Sequence, residues 1–144
     1  MRYFLSTLFL LLFINIFGQN HVSWTFEYDE ITKRVIAYGR IDSTWHVYSK
    51  HTNKNAGPIP VSMNILKTKG VKTKNKLEEI SHTVKTFDKN FDSYVYYIDI
   101  IYIGQIEIKA KPGSIVSGTV NYMVCNDIMC LPPIDVPFSI KIKK

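Results

Sequence analysis

Val116-Ser-Gly-Thr-Val-Asn-Tyr-Met-Val-Cys125-Asn-Asp-Ile-Met-Cys130-Leu-Pro-Pro133 is the most informative stretch of this 144-residue chain. Up to Val124, every second residue is apolar or small: Val116, Gly118, Val120, Tyr122 and Val124 line one face. Ser117, Thr119 and Asn121 line the other. Such a period of two marks a strand with one buried and one wet face. The alternation stops at Cys125. A polar step follows, then a second cysteine and Pro132-Pro133, which cannot continue a hydrogen-bonded ladder. Both cysteines therefore fall at a tip, after a strand and before a break.

The same period recurs outward from this stretch. Val136, Phe138, Ile140 and Ile142 form a last strand. Upstream, Val22, Trp24, Phe26 and Tyr28 alternate with polar residues; Arg34 to Ile41 and Trp45 to Ser49 give two further runs. Ile59, Val61, Met63 and Ile65 give a fourth. Lys76 to Val84 reads as a strand or one helical turn. Ser93 to Ile103 is aromatic and β-branched on both faces, and Gln105 to Ala110 reads as a separate short strand. Gly57-Pro58, Gly70, Gly104 and Pro112-Gly113 punctuate the joins. Eight or nine strands without a clear amphipathic helix predict an all-β fold. The simplest form is an immunoglobulin-like antiparallel β-sandwich with the cysteine pair on a hairpin tip. A closed barrel is the alternative.

Met1-Arg2 followed by the apolar run Tyr3 to Phe17 and then Gly18-Gln19 reads as an export signal. The run is about 15 residues, short of the roughly 20 that a spanning helix needs. Residues 1–19 are therefore expected to be a cleaved signal peptide rather than a permanent anchor, and residues 20–144 one domain. Export implies a compartment where disulfides persist. The formal charge of +6 is spread in ones and twos at expected turns, such as Lys67, Lys69, Lys72 and Lys74. That pattern reads as solvated loops, so no nucleic-acid partner is expected.

Cys125 and Cys130 are the only cysteines. The four histidines are scattered, so a zinc site lacks its further ligands, and no metal or cofactor is expected. Haem attachment and thioredoxin-type motifs need Cys-x-x-Cys. A copper-handling role for the thiols with Met63, Met123 and Met129 lacks clustered spacing. A structural disulfide and a redox-active one remain. As a staple the pair closes a very short loop, worth about 2 kcal/mol in the chain-entropy model. Exposed tip disulfides tend to exchange. Spacing and position leave both readings open: an exchanging pair, or a non-redox immunoglobulin-like binding module with a tip staple.

A resemblance separates them. Gly118 to Pro133 resembles the active-site segment of the amino-terminal domain of DsbD, the thiol:disulfide interchange protein. That segment has a tyrosine before the first cysteine, a short insert, a second cysteine and a Pro-Pro. Trp45-His-Val-Tyr48-Ser, Gly57-Pro-Ile-Pro60 and Val84-Lys-Thr-Phe87-Asp-Lys-Asn-Phe91 resemble further segments of the family, so the likeness runs from about Trp24 to the end. It implies an immunoglobulin-like sandwich and an electron shuttle. Such a domain passes reducing equivalents from a membrane donor to thioredoxin-fold proteins of the periplasm, including disulfide isomerases and cytochrome c maturation factors. A cap loop with an aromatic covers the cysteines until a partner docks. Because this chain stops at Lys144, the membrane electron donor is expected on a separate chain.

The resemblance also distributes roles. Cys130 becomes the partner-facing sulfur and Cys125 the one that resolves the mixed disulfide. Cys125, at the end of an apolar strand face, is expected to be the more buried. Asp127 disfavours a thiolate, and no basic residue lies between the cysteines, so the low-pKa thiol is expected from the partner. Phe87 or Phe91 is the cap candidate. Tyr48, Tyr122 and His46 are candidates for the pocket wall. In the family, acids often precede the cap aromatic; here Lys85-Thr86 precede Phe87, with Asp88 and Asp92 the nearest acids.

Overall fold

Alternation converts into ladders along most of the chain. The computed structural model describes residues 20–144; the expected signal peptide, 1–19, lies outside the described residues. In chain order the strands are β1 Val22–Asp29, β2 Arg34–Ile41, β3 His46–Tyr48, β4 Ser62–Ile65, β5 Val71–Thr73, β6 Glu78–Glu79, β7 Val84–Asp88, β8 Ser93–Ile98, β9 Ile101–Ala110, β10 Ile115–Tyr122, β11 Val124–Cys125 and β12 Ile134–Lys141. A single turn of 3-10 helix, Lys54–Ala56, interrupts the β3–β4 connection.

All pairings are antiparallel. One sheet runs β1-β2-β9-β5, with β6 also on β9; a second runs β12-β10-β4; a third runs β11-β3-β8-β7. The sheets are open, which sets aside the barrel. Between them lies one apolar core: Val35 and Ala37 from β2, Val47 from β3, Val116, Val120 and Tyr122 from β10, and Val124 from β11 are all fully buried.

Three departures from the sequence reading have physical reasons. The aromatic run does not form one strand from Ser93 to Ile103. It breaks at Asp99-Ile100, where the chain leaves the third sheet for the first. Gly104 does not end a strand: β9 runs through it, because the Tyr102 ring and Leu77 fill the space a side chain would need. The fourth run starts at Ser62 rather than Ile59, since Pro58 and Pro60 lack the N–H a ladder requires.

The decisive switch is at Met123. β10 pairs with β12 and β4 up to Tyr122, whereas Val124 and Cys125 pair with Val47 and His46 in the third sheet. Crossing between sheets buries both Val124 and Cys125, which a strand continuing its alternation would not do. This crossing carries the cysteines out of the main core and onto β3.

Candidate functional site

The hairpin tip is built by one asparagine. Asn126 Oδ1 accepts from the N–H groups of Ile128 and Met129, at 2.9 and 2.8 Å, and its own N–H donates to the Met129 carbonyl at 2.9 Å. This Asx turn shapes the loop between the cysteines. Leu131 N–H then donates to the Val124 carbonyl at 2.9 Å. Cys125 and Cys130 face each other across the hairpin and are joined as a disulfide. Cys125 is fully buried, while Cys130 is half-buried beside the exposed Ile128 and Met129.

Register decides what surrounds the sulfurs, because directly opposed residues of an antiparallel pair share a face. Cys125 opposes His46, Tyr48 opposes Tyr97, Tyr97 opposes Val84, and Val95 opposes Thr86. The cysteine face of the third sheet thus carries His46, Tyr48, Tyr97, Val95, Thr86 and Asp88. Tyr48, Ala56, Val95 and Cys125 form a small buried cluster, with Phe91, Tyr97, Met123 and Cys130 packed against it.

Phe91 packs against this cluster from outside the sheet. It lies in the turn between β7 and β8, and its ring meets Tyr48 edge-on at 5.9 Å between centroids. The ring rests on Gly57, where a Cβ would collide with Phe91 Cδ1. Gly57 also has φ +108°, a conformation that side chains rarely adopt. Thr52 pins the loop that carries Gly57: its hydroxyl donates to the Tyr96 carbonyl at 2.8 Å and accepts from Tyr96 N–H at 3.0 Å. Phe87 is elsewhere. It opposes Tyr94 on the reverse face of β7 and β8, packs against that ring at 5.3 Å, and is 46% exposed.

The polar part of the site is a chain of three residues. Tyr48 Oη donates to Asp88 Oδ2 at 2.7 Å, and His46 Nε2 lies 3.2 Å from Tyr48 Oη. The other Asp88 oxygen accepts from Asn90 N–H at 2.8 Å, so this buried carboxylate also shapes the Phe91 turn. Burial, then the Asp88 hydrogen bond, pushes the Tyr48 phenol far above its ordinary range. Burial holds the His46 imidazole below its usual 6.5, against a smaller opposing pull from Asp88, Asp127 and Asp99. His46 stacks obliquely on Tyr97 at 4.7 Å. Next to it opens a cleft of about 430 Å³, bounded by His46, Tyr97, the segment 86–90, Asn126 and Asp127.

Of the residues singled out from sequence, Cys125, Cys130, Phe91, Tyr48 and His46 come together. Tyr122 does not: it is buried in the main core against Trp24, 5.3 Å between ring centroids. Of the three methionines, Met63 is in the main core, Met123 packs against the cysteine cluster and Met129 is exposed. Asp88, three residues before Phe91, supplies an acid to the site where the Lys85-Thr86 pair before Phe87 had suggested none. Thr52, Val95, Tyr97 and the Gly57 seat were missed. Only Asn126-Asp127 carried a local signal, that of a turn.

The family described as thiol:disulfide interchange protein DsbD, N-terminal, matches residues 18–141. No curated protein matches the chain in sequence. Among solved structures, the N-terminal domain of Neisseria meningitidis DsbD in the reduced form superposes with a TM-score of 0.64 at 12% identity, covering 86% of this chain and 87% of that one. The complex between the DsbD N-terminal and PilB N-terminal domains of N. meningitidis superposes with a TM-score of 0.61 at 12% identity, covering 85% of this chain and 84% of that one. At this identity the likeness shows the fold, an immunoglobulin-like antiparallel sandwich.

Proposed function

The chain belongs to the DsbD N-terminal family, and from that premise we propose that it is a periplasmic thiol-disulfide exchange domain, relaying reducing equivalents through Cys125 and Cys130. The observation that carries the reading is the placement of the pair: a disulfide at a hairpin tip, one sulfur buried and one within reach of solvent, in a cluster against which Phe91 and Tyr97 pack. A staple serving only stability has no need of such a placement.

Cys130 is the sulfur that meets the partner, and Cys125 the one that closes the ring behind it. Attack on a disulfide requires an in-line approach to an accessible sulfur, and accessibility favours Cys130. Phe91 is the cap, Tyr48 and His46 the pocket wall. The donor is a membrane protein and the acceptors are thioredoxin-fold proteins. The solved complex of the N. meningitidis DsbD domain with a PilB domain supports a protein as the exchange partner. Residues 1–19 act as the signal that directs export.

Equilibration with dithiothreitol or glutathione buffers, followed by thiol trapping, tests the reading. The expected result is a reversible two-electron transition. A disulfide that stays closed down to about −300 mV, where structural disulfides lie, overturns it and leaves a stapled binding module. The finer assignment is tested by single variants expressed in the native host and quenched with acid. Cys125→Ser should accumulate mixed disulfides through Cys130, and Cys130→Ser far fewer.

A further inference from the structure

We infer that His46 is the proton acceptor for Cys125 when that thiol closes the disulfide and releases the partner. The inference rests on the exchange reading above and adds to it the group that makes the buried thiol a nucleophile.

The need comes from burial. Cys125 is fully buried. A thiolate is the attacking species, and apolar surroundings disfavour it. Neither Asn126, Asp127, Ile128 nor Met129 offers a base with an ordinary pKa near neutrality. The residue directly opposite Cys125 on the neighbouring strand is His46. Opposed residues share a face, with Cβ atoms about 4.5–5.5 Å apart, so the imidazole and the thiol leave neighbouring strands toward the same side. Across the hairpin, on the other side of Cys125, is Cys130. The register thus sets base, nucleophile and target sulfur in one row.

Hydrogen bonding fixes the tautomer. The Tyr48 hydroxyl has one proton and gives it to Asp88 at 2.7 Å. Its oxygen can then only accept from His46 Nε2, 3.2 Å away. With the proton on Nε2, the other ring nitrogen carries the free lone pair. The groups facing the imidazole are Tyr48, Tyr97, Asp88, Asp127 and Asp99, with Lys89 on the far side of the cleft. Burial outweighs the carboxylates and keeps the ring neutral at neutral pH, the state in which it can take a proton.

The step balances. Cys130 first loses its proton to solvent and attacks the partner's disulfide as a thiolate, becoming joined to one of its sulfurs and expelling the other as a thiolate. Cys125 Sγ then attacks Cys130 Sγ. The Cys125–Cys130 bond forms, the bond from Cys130 to the partner breaks, and the electron pair leaves with the partner's sulfur. The Cys125 proton passes to His46, and from there through the cleft to solvent or to the departing thiolate. Two electrons have moved to the partner, and the pair is oxidised.

Oxidised glutathione serves as the probe. Reduced protein is mixed with an excess of it, and closure of the glutathione adduct is followed from pH 5 to 9 by acid quench, alkylation and mass. The wild-type closure rate should rise about tenfold per unit at low pH and flatten above the imidazole pKa, which burial sets below 6.5. His46→Gln should close at least about tenfold more slowly at pH 7, a floor below the roughly 10²–10⁴-fold usual for a general base, and lose the plateau. A wild-type rate that climbs tenfold per unit through pH 8, or a His46→Gln rate equal to wild type, overturns the assignment while leaving the exchange reading intact. The wild-type profile decides even if the variant does not fold. A reduced protein that never forms the adduct overturns the exchange reading, and this inference with it.

Discussion

The main core and the cysteine cluster lie on opposite faces of the same strand, β3, and are built by opposite rules. Val47 points into the main core with Val35, Val116 and Val120; Tyr48, next in sequence, points into the cluster with Cys125 and Val95. The main core draws on all three sheets and even leaves the Tyr102 hydroxyl buried without a partner. Around the cluster, buried polar groups find partners: Tyr48 with Asp88, Asp88 with Asn90, Thr52 with Tyr96. Its cover is one turn and one loop. The difference separates two tasks. The main core supplies cooperative stability, while under the proposed function the Phe91 turn is a cover that opens locally, at less cost than global unfolding.

The largest effect should come from breaking the main core. Phe138 is 7% exposed, stacks on Phe26 at 4.5 Å and rests on Gly118. Phe138→Ala should lower the unfolding free energy by about 3–5 kcal/mol, the usual cost of a buried Phe→Ala change, measured by urea denaturation. Under conditions where the variant is still folded, the disulfide should be reduced by dithiothreitol at the wild-type rate. A faster rate would mean that the two regions are coupled through β3.

Phe91→Ala should do the reverse. The ring is half-buried, so the stability loss should be about half as large, roughly 1.5–2.5 kcal/mol. Reduction of the disulfide should accelerate, by about tenfold or more, since access governs exchange. Gly57→Ala comes next. The new Cβ displaces the Phe91 ring and must also adopt φ +108°, so about 1 kcal/mol or more should be lost. Because its effect on the sulfurs runs through Phe91, adding it to Phe91→Ala should accelerate reduction no further.

How much of this was legible in the sequence follows the same division. Strands with one dry and one wet face, such as β2 and β10, announce themselves by alternation. The cysteine tip, the sandwich class and the family segments were equally readable. Short-range pattern failed where tertiary placement decides. Val71–Thr73 looked like a lysine-bearing turn, yet β9 offers it an edge to pair with. Val124 and Cys125 are consecutive and both buried because the chain changes sheets between Tyr122 and Val124, a feature without period. Tyr122 and Tyr48 read alike in sequence. Only topology sends one into the main core and the other beneath Phe91. Thr52 acts on the site through Tyr96 and Gly57 through Phe91, both far along the chain, a distance that no local motif spans.

The smallest effect is expected at Phe87, the residue that sequence alone could not distinguish from Phe91. The two phenylalanines are four residues apart and flank Asp88. In β7, however, side chains alternate between faces, and the register pairs Phe87 with Tyr94 and Lys85 with Tyr96. Those four residues cluster on the reverse face, with the Lys85 ammonium 5.5 Å from the Tyr94 ring and 5.8 Å from that of Tyr96. Phe87 borders the cleft through the segment it belongs to, but its ring packs on Tyr94 and not on the cysteine cluster. At 46% exposure it has little burial left to lose, so Phe87→Ala should cost less than about 1 kcal/mol, the scale of an exposed cross-strand aromatic pair. Alkylation of the reduced cysteines by iodoacetamide should proceed at the wild-type rate in Phe87→Ala and faster in Phe91→Ala. Equal acceleration in both would show that the β7–β8 hairpin caps the sulfurs as a unit. Acceleration in Phe87→Ala alone would put the cap on the reverse face and break the assignment drawn from the register.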